Sequence, residues 1–322
     1  MEDIDKEING AMSTRVEQLL QNKSEGSYQR HNSLELPSLD FDEIGSIHDK
    51  IQETGKTPTK STKETTNLYL AYKHIKDELK KSIDDMAEAN TPNKEIDFFS
   101  GKHDSKGFIE VESLIKHTHN ILMEDIMHEG TPPGNFSTYP RTAEFNGKTH
   151  EYPKFENVAV AEQAIQTLVD KVNEIIESIR QKNISDEERA KMYFKCSSLF
   201  LFCFLSLHPF GDGNGRLARL LSSYNLLTFS PFLTPIYNVF SATRKCDYVQ
   251  ALVDARQGLG EAQHITVKDE AINMSISAME QKPSDLCSML IESNWTVWRQ
   301  LLFKLGDKTI KLYKWEIENQ NL

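Results

Sequence analysis

The stretch SDEERAKMYFKCSSLFLFCFLSLHPFGDGNGRLARLL, residues 185–221, contains two helix signals separated by a short polar loop. Ser185 and Glu188 have the spacing of a capping box, in which two side chains satisfy N–H groups at the start of a helix. The residues that follow are apolar on nearly all sides up to Leu207, which predicts a buried central helix. A second helix is predicted to begin near Asn214. We therefore expect the fold to form around these two helices.

Helical spacing recurs in several segments on both sides of this stretch, but one region has a different pattern. Residues 130–155 are rich in glycine and proline and include Asn146-Gly147, a dipeptide typical of tight hairpin turns. They predict a loop followed by a β-hairpin near residues 141–152. In several other segments apolar residues recur at intervals of three and four, so the expected fold class is all-α with one small hairpin. The segments with helical spacing are 64–79, 108–127, 158–179, 214–227, 248–255 and two or three within 268–318.

Composition limits the class of protein. A chain of 322 residues can form one large domain with appendages or two domains. The net charge of -11 disfavours general nucleic-acid binding, which needs basic surfaces, but is compatible with a local basic pocket for one nucleotide. The polar N-terminus predicts no signal peptide, the apolar run Leu199–Leu207 is too short to span a bilayer, and the four cysteines lack CxxC spacing. We expect a cytoplasmic protein with neither nucleic acid nor a membrane as partner.

The loop between the two central helices combines glycines with charged side chains. The N–H groups of residues 213–216 open the second helix, where unpaired N–H groups and the helix dipole form an anion site. Glycines there let the backbone approach a ligand closely. Arg216 and Arg219 lie three residues apart, near one face of the helix, and can grip phosphate oxygens.

Two further side chains suit chemistry on a bound phosphate. Asp212 beside a polyphosphate is a natural ligand for Mg²⁺, which prefers carboxylate and phosphate oxygens. His208, directly before the loop, can act as a general base near neutral pH. The loop therefore predicts a triphosphate cradle with an adjacent base.

Other glycine-rich motifs fit this loop less well. Asp-Gly and Asn-Gly are hairpin signals, but the flanks have helical rather than alternating spacing. A calcium loop of the EF-hand type needs a glutamate at the twelfth position from Asp212, where Ser223 stands. A dinucleotide-binding loop follows a strand, and a P-loop needs a Gly-Lys-Ser/Thr sequence, which is absent.

The residues HPFGDGNGRLAR resemble the signature of the Fic (fido) domain family, H-x-F-x-[D/E]-G-N-G-R-x-x-R. Every fixed position is matched. The similarity extends from about residue 64 to 265 and includes the hairpin and DYVQALVDAR, residues 247–256, which is similar to the helix flanking the nucleotide in the family. The resemblance implies a Fic-type helical bundle with the hairpin as a flap and helical extensions at both ends. The matched residues are His208, Phe210, Asp212, Gly213, Asn214, Gly215, Arg216 and Arg219.

The resemblance also implies an activity, the transfer of AMP from Mg-ATP to a Ser, Thr or Tyr hydroxyl of a target protein. His208 would take the hydroxyl proton, and Asp212 would hold Mg²⁺. ATP and Mg²⁺ are thus the expected cofactors, and a protein with an acceptor hydroxyl is the expected partner. A homodimer is compatible with the resemblance, because dimers are common among proteins of this fold. The residues implied in phosphate binding are Gly213, Asn214, Gly215, Arg216 and Arg219.

The hairpin near residues 141–152 would dock a segment of the target by strand-like pairing. Phe145 would clamp that segment, and an ordinary surface position is the alternative. Members of the family often carry an arginine in the loop before the flap. The aligned residue here is Ser137, with Arg141 nearby, so the sequence departs from the family pattern where the flap is anchored.

Many Fic proteins also carry an inhibitory helix with the pattern [S/T]-x-x-x-E-[G/N], whose glutamate pairs with the second arginine of the signature and competes with a phosphate. The stretch HNSLELPSLDFDEI, residues 31–44, makes Glu35 the candidate for this role, facing Arg219. Two positions of that stretch depart from the pattern. Glu17 and Glu292 are further candidates. The alternative that none of the three is inhibitory stays open.

The expected organisation is a polar tail over residues 1–30, a candidate inhibitory segment and linker over 31–63, a Fic domain over 64–265 and a helical extension over 266–322. The leading function is protein adenylyl transfer. The alternatives are removal of AMP from a protein, transfer of another phosphate-linked group and a non-catalytic, nucleotide-gated interaction module. The intact His208 argues against the last of these.

Overall fold

The computed structural model describes residues 60–90, 107–126, 130–227 and 245–304, together with the single positions 230, 234 and 236. This part of the chain is mainly helical and contains the predicted hairpin, together with a second, parallel pair of short strands that the sequence analysis did not predict. The elements in chain order are α1 (Lys60–Asn90), a π-helical turn (Val111–Lys116), α2 (His117–Leu122), β1 (Thr142–Phe145), β2 (Lys148–Glu151), β3 (Lys154–Phe155), α3 (Val158–Gln181), α4 (Asp186–Leu207), α5 (Asn214–Leu226), α6 (Lys245–Arg256), a 3-10 turn (Gln257–Leu259), β4 (His264–Ile265), α7 (Lys268–Met279) and α8 (Ser284–Lys304).

The chain divides into two compact units. The described parts of residues 40–233 and 255–282 form the larger unit, and the described parts of 234–254 and 283–322 form the smaller one. Within the smaller unit, the Ser293 hydroxyl donates to the carbonyl of Ile236 (3.0 Å). The signature loop and the hairpin both lie in the larger unit, so its packing decides the geometry of the site.

Helix α4 is the centre of the larger unit. Its second half is buried on all sides, as predicted, and α3, α5 and α7 pack against it. Helix α7 also packs on α3, where the Ser275 hydroxyl donates to the carbonyl of Ala164 (2.8 Å). Burial of the aromatic and aliphatic side chains of α4 removes a large apolar area from water, which stabilises the helix in place. The end of α4 is therefore a rigid support for the loop that follows it.

In the described part of the chain one helix, α4, is long and apolar enough to cross a membrane, as judged by length and composition. At 22 residues, α4 is longer than the apolar run Leu199–Leu207, which by itself is too short to span a bilayer. However, 72% of its most apolar window is buried inside the protein. That burial is the pattern of a core helix.

The local signals of the sequence are confirmed. Ser185 and Glu188 form the capping box at the start of α4. The hairpin has β1 antiparallel to β2, with Phe145 opposite Lys148. The two residues of its turn, Asn146 and Gly147, have φ of 52° and 72°. Positive φ at both central positions is the requirement of a type I′ turn, which explains this dipeptide.

The helix predicted over residues 108–127 is shorter and less regular than expected. The amide of Asn173 on α3 accepts from the N–H of Ile109 (2.9 Å) and donates to its carbonyl (2.8 Å), which keeps Ile109 out of the helix. At the other end, the amide of Asn67 donates to the carbonyl oxygens of Leu122 (3.3 Å) and Glu124 (2.8 Å). Contacts distant in sequence therefore set both ends of this segment.

Candidate functional site

The signature loop is closed by one buried side chain. The Asn214 amide accepts from the N–H of Phe210 (3.0 Å) and donates to the carbonyl of Phe210 (2.7 Å). The Phe210 ring is fully buried and anchors the middle of the loop in the core. Because the side chain of Asn214 is buried and bound to Phe210, its backbone N–H is the group that can make the predicted phosphate contact.

His208 ends α4 in the left-handed conformation, with φ 47° and ψ 57°. Its Nδ1 lies 3.3 Å from the carbonyl oxygen of Leu205. A carbonyl oxygen only accepts, so Nδ1 carries the ring proton and Nε2 keeps its lone pair. The described residues provide no hydrogen bond to Nε2, which is therefore the nitrogen able to take a proton.

The surroundings of His208 keep its imidazole neutral. Burial lowers the pKa of His208 to about 3, and the positive charges of Arg141 and Arg256 act in the same direction. The hydrogen bond with Leu205 and the charge of Asp212 oppose that shift. A neutral ring is the form that can accept a proton from a substrate.

The N-terminus of α5 lies directly after this histidine. The Asp212 carboxylate accepts from the N–H of Gly213 (2.5 Å) through Oδ1, and its side chain is 56% exposed. Gly213 has φ 75°, and a Cβ there would lie 2.7 Å from the sulfur of Met123. Glycine is required at this position because the backbone conformation and the close neighbour both exclude a side chain. The next three N–H groups open the helix without intrahelical partners.

Both arginines of the signature lie beside this helix start. Arg219 Nη1 would be 3.3 Å from a Cβ on Gly215, so its guanidinium lies over that glycine. Arg216 Nη1 lies 3.6 Å from Glu64 Oε1 on α1, and Nη2 lies 3.9 Å from Asp212 Oδ2. Nη1 is buried and makes no hydrogen bond. The first arginine thus faces a carboxylate that the sequence analysis did not identify.

His119 on α2 is a second residue that the sequence analysis missed. Its Nδ1 accepts from the N–H of Gly134 (2.9 Å), which leaves Nε2 to donate to the carbonyl of Asp212 (3.0 Å). The ring also stacks on Phe210, with centroids 3.7 Å apart. This buried histidine holds the signature loop against the loop at Gly134. No pattern of spacing separates it from its neighbour His117, which is exposed.

Arg141 anchors the flap where the sequence departs from the family pattern. Its guanidinium donates to the carbonyl oxygens of Ser137 (2.6 Å) and Pro153, one on each side of the hairpin. The ring of Phe155 packs 5.3 Å below the guanidinium. Burial lowers the pKa of Arg141 to about 10, so the group stays charged at neutral pH. Phe145, the predicted clamp, is half-buried at the end of β1.

The larger unit therefore brings together the base, the carboxylate, the glycines and the arginines of the signature. Glu35 and Glu17 lie outside the described residues, and their predicted roles stay predictions. Glu292 lies on α8 in the smaller unit. The described residues contain no group of three or more histidine, cysteine or acidic side chains that could hold a metal ion by themselves.

Fold and site together define a class of protein: a helical domain in which a central buried helix delivers a histidine to a glycine-rich helix start. The sequence model of the Fic/DOC family matches residues 109–226. Residues 109–226 are thus similar to the Fic/DOC family, and they include the signature loop and the hairpin. Proteins of this family are typically transferases.

Solved structures of Fic-domain proteins are also similar to this chain. A Fic domain containing signaling protein from Bacteroides thetaiotaomicron is 13% identical, with a TM-score of 0.53, over 85% of this chain and 87% of that chain. Fic-1 (residues 134–508) from C. elegans is also 13% identical, over 93% of this chain and 75% of that one, with a TM-score of 0.43. The similarity to the Bacteroides protein supports the fold alone.

Part of this chain is also similar to a viral protein of a different name. The ribonucleoside-diphosphate reductase small chain of Ostreid herpesvirus 1 is 32% identical over 123 residues. Those residues are 38% of this chain and 20% of the viral protein, so the match spans a fifth of that protein's length.

Proposed function

We propose that this protein is a Mg-ATP-dependent protein adenylyltransferase that modifies a Ser, Thr or Tyr hydroxyl of a target protein. The observation that carries the proposal is the neutral His208, with Nε2 unprotonated, directly before the N-terminus of α5 and its two arginines. This arrangement supplies a base for the hydroxyl and positive charge for the phosphates. The resemblance of the whole signature to the Fic family supports the same reaction.

The residues at the start of α5 fit a triphosphate. Three N–H groups, of residues 214–216, point from the first turn of the helix and share the positive end of its dipole. Arg219 lies over Gly215, and the buried Nη1 of Arg216 lacks a hydrogen bond. A phosphate oxygen would satisfy that nitrogen. In the free protein that nitrogen faces the Glu64 carboxylate at 3.6 Å, so the phosphate would replace a weak ion pair with a hydrogen bond.

Asp212 fits a magnesium ligand of the kind that accompanies nucleotides. One of its oxygens accepts from Gly213, and the carboxylate remains more than half exposed. Mg²⁺ usually takes one or two protein carboxylates and completes its shell with phosphate oxygens and water. When bound, the ion would supply positive charge against the leaving pyrophosphate.

The chain's own residues then have the following roles. His208 Nε2 removes the proton as the hydroxyl oxygen of the target forms a bond to the α-phosphorus. The bond from that phosphorus to the pyrophosphate oxygen breaks, and the products are the AMP-protein and pyrophosphate. Arg216 and Arg219 stabilise the charge that develops on the leaving group. The negative charge of the bound phosphates raises the pKa of His208 from its low value in the free protein, which strengthens the base.

Mass spectrometry of the purified protein after incubation with ATP and Mg²⁺ tests the proposal. We expect a covalent AMP adduct on the protein itself or on an added target. Binding of ATP without an adduct would instead favour the nucleotide-gated interaction module. Loss of AMP from a pre-modified protein, with no gain, would favour the reverse reaction. An adduct with the mass of another group would identify a different phosphate-linked donor.

Regulation by an N-terminal carboxylate is part of the proposal. Glu35 remains the candidate from the sequence. Glu64 on α1 is a candidate besides Glu35, Glu17 and Glu292, because its carboxylate lies 3.6 Å from the Nη1 of Arg216. Helix α1 is held at this end by the ion pair between Lys63 and Asp125 (3.4 Å) and by the amide of Asn67.

We expect Glu64→Gln to tighten ATP binding, because the carboxylate competes with a phosphate for Arg216. Both side chains are partly exposed, so the expected decrease in Kd is about two- to fivefold. Isothermal titration calorimetry with Mg-ATP measures it, and Asp77→Asn, an exposed position on the same helix, is the matched control. An unchanged or weaker affinity would show that Glu64 does not compete.

A further inference from the structure

A column of three stacked side chains passes through the candidate site. The ring of Tyr152 stacks on the imidazole of His208, with centroids 3.7 Å apart and planes 13° from parallel. On Tyr152 lies the guanidinium of Arg256, 4.6 Å from the ring centroid. Tyr152 follows β2 directly, and Arg256 ends α6. The column therefore connects the flap to His208, the proposed catalytic base.

Two members of the column, Tyr152 and Arg256, make hydrogen bonds with backbone groups. The N–H of Tyr152 donates to the carbonyl of Arg141 (3.0 Å), which closes the base of the hairpin. Arg256 Nη2 donates to the carbonyl of Glu151 (3.2 Å). Burial raises the pKa of the Tyr152 hydroxyl, so the ring stays neutral and its face remains attractive to a cation. These contacts fix the backbone of Tyr152 and the position of Arg256, so the ring can turn away only by losing its contacts with His208 and Arg256.

Without this column, the remaining contacts would hold the imidazole of His208 only weakly. Its only hydrogen bond among the described residues is the 3.3 Å contact of Nδ1 with Leu205, which is long. The terminal torsion of a histidine side chain has a broad energy well, so one weak hydrogen bond does not define the ring plane. Stacking by Tyr152 on one face does define it.

We propose that Tyr152, braced by Arg256, is a positioning residue that holds the His208 ring with Nδ1 towards Leu205 and Nε2 available to the acceptor hydroxyl. The proposal rests on the proposed function for its catalytic consequence and on the geometry alone for its effect on the ring. Tyr152 lies at the foot of the flap, directly after β2. A movement of the flap would therefore also move the imidazole of His208. The flap and the catalytic step are thus coupled through one aromatic ring.

Two substitutions at Tyr152 separate stacking from the hydroxyl group. Tyr152→Phe keeps the stacked ring, and Tyr152→Leu removes it but leaves an apolar side chain of moderate size. In the adduct assay we expect Tyr152→Leu to lower kcat by about 10- to 100-fold, because misplaced reacting groups cost rates of this order. KM for ATP should change by less than about twofold, since the phosphates contact other residues. Tyr152→Phe should retain at least about half of kcat.

A second measurement does not depend on activity. Long-range ¹⁵N correlation spectra at pH 7.5 report the tautomer of each histidine, and the His208 signal is assigned by its loss in His208→Gln. We expect one tautomer, with Nδ1 protonated, in the wild type and in Tyr152→Phe. In Tyr152→Leu we expect a mixture in which the Nε2–H tautomer is populated. Tyr139→Leu, at an exposed tyrosine before the hairpin, should change neither the spectrum nor the rate.

These outcomes keep the two proposals distinguishable. An unchanged tautomer and an unchanged kcat in Tyr152→Leu would overturn the positioning role, as would an equal loss of kcat in Tyr152→Phe. If the wild type makes no adduct, the spectra still decide whether Tyr152 orients the ring. A cooperative thermal transition of Tyr152→Leu establishes that it is folded. If it is unfolded, Arg256→Gln provides the same tests with a smaller expected loss, about two- to fivefold in kcat.

Discussion

His208→Ala is expected to lower the rate of AMP transfer by about 10²- to 10⁴-fold, the range in which a positioned general base contributes. The substitution removes the Nε2 lone pair that would accept the hydroxyl proton. The phosphate contacts come from α5, so the Kd for Mg-ATP should change by less than about threefold. Quantitative mass spectrometry of the AMP adduct and calorimetry of ATP binding measure the two effects.

His264→Ala is the control for this experiment. His264 lies on β4, is about half exposed and pairs with Glu156 at the surface (2.8 Å). We expect adduct formation by this variant to equal that of the wild type. If His208→Ala retains the wild-type rate, a different group takes the proton and the proposed role of His208 is wrong.

The second large effect is expected for Asn214→Ala. This change leaves the buried N–H and carbonyl of Phe210 without their partners, which costs about 2–4 kcal/mol of unfolding free energy. The melting temperature should fall by about 5–15 °C. Adduct formation should also decrease, because the loop that carries Asp212 and Gly213 is no longer closed.

Two variants control for the loss of an asparagine. Asn183→Ala removes an exposed side chain between α3 and α4 and should leave the melting temperature within about 2 °C of the wild type. Asn214→Asp keeps an acceptor for the Phe210 N–H but places a buried carboxylate oxygen against the Phe210 carbonyl, so we expect its melting temperature also to lie below that of the wild type. Equal melting temperatures for Asn214→Ala and the wild type would contradict the closing role of this side chain.

The largest elements of the fold are predictable from the sequence, because their signals are local. The capping box at Ser185, the apolar run of α4 and the Asn146-Gly147 turn each depend on residues within a few positions of one another. The signature also brings its own residues together, since one loop and the first turn of one helix hold them all. For this reason the predicted base, carboxylate, glycines and arginines lie close together in the structure.

The ends of the helical segment within residues 108–127 could not be predicted from local signals. Their apolar spacing predicts one regular helix, but side chains from α1 and α3 bind the backbone at both ends and shorten it. Such hydrogen bonds join residues far apart in sequence, and nothing in the spacing of residues 108–127 indicates them. Their free energy exceeds the small preference of each residue for one backbone conformation.

The sequence by itself thus determined the helical core and the set of groups in the signature loop. Only the tertiary structure decided the surroundings of those groups: Tyr152 on His208, His119 beneath Asp212, Glu64 on Arg216 and Arg141 at the base of the flap. These contacts form when elements distant in the chain pack together. The chemical type of a side chain is local, whereas its orientation, protonation and partner depend on what the fold places against it.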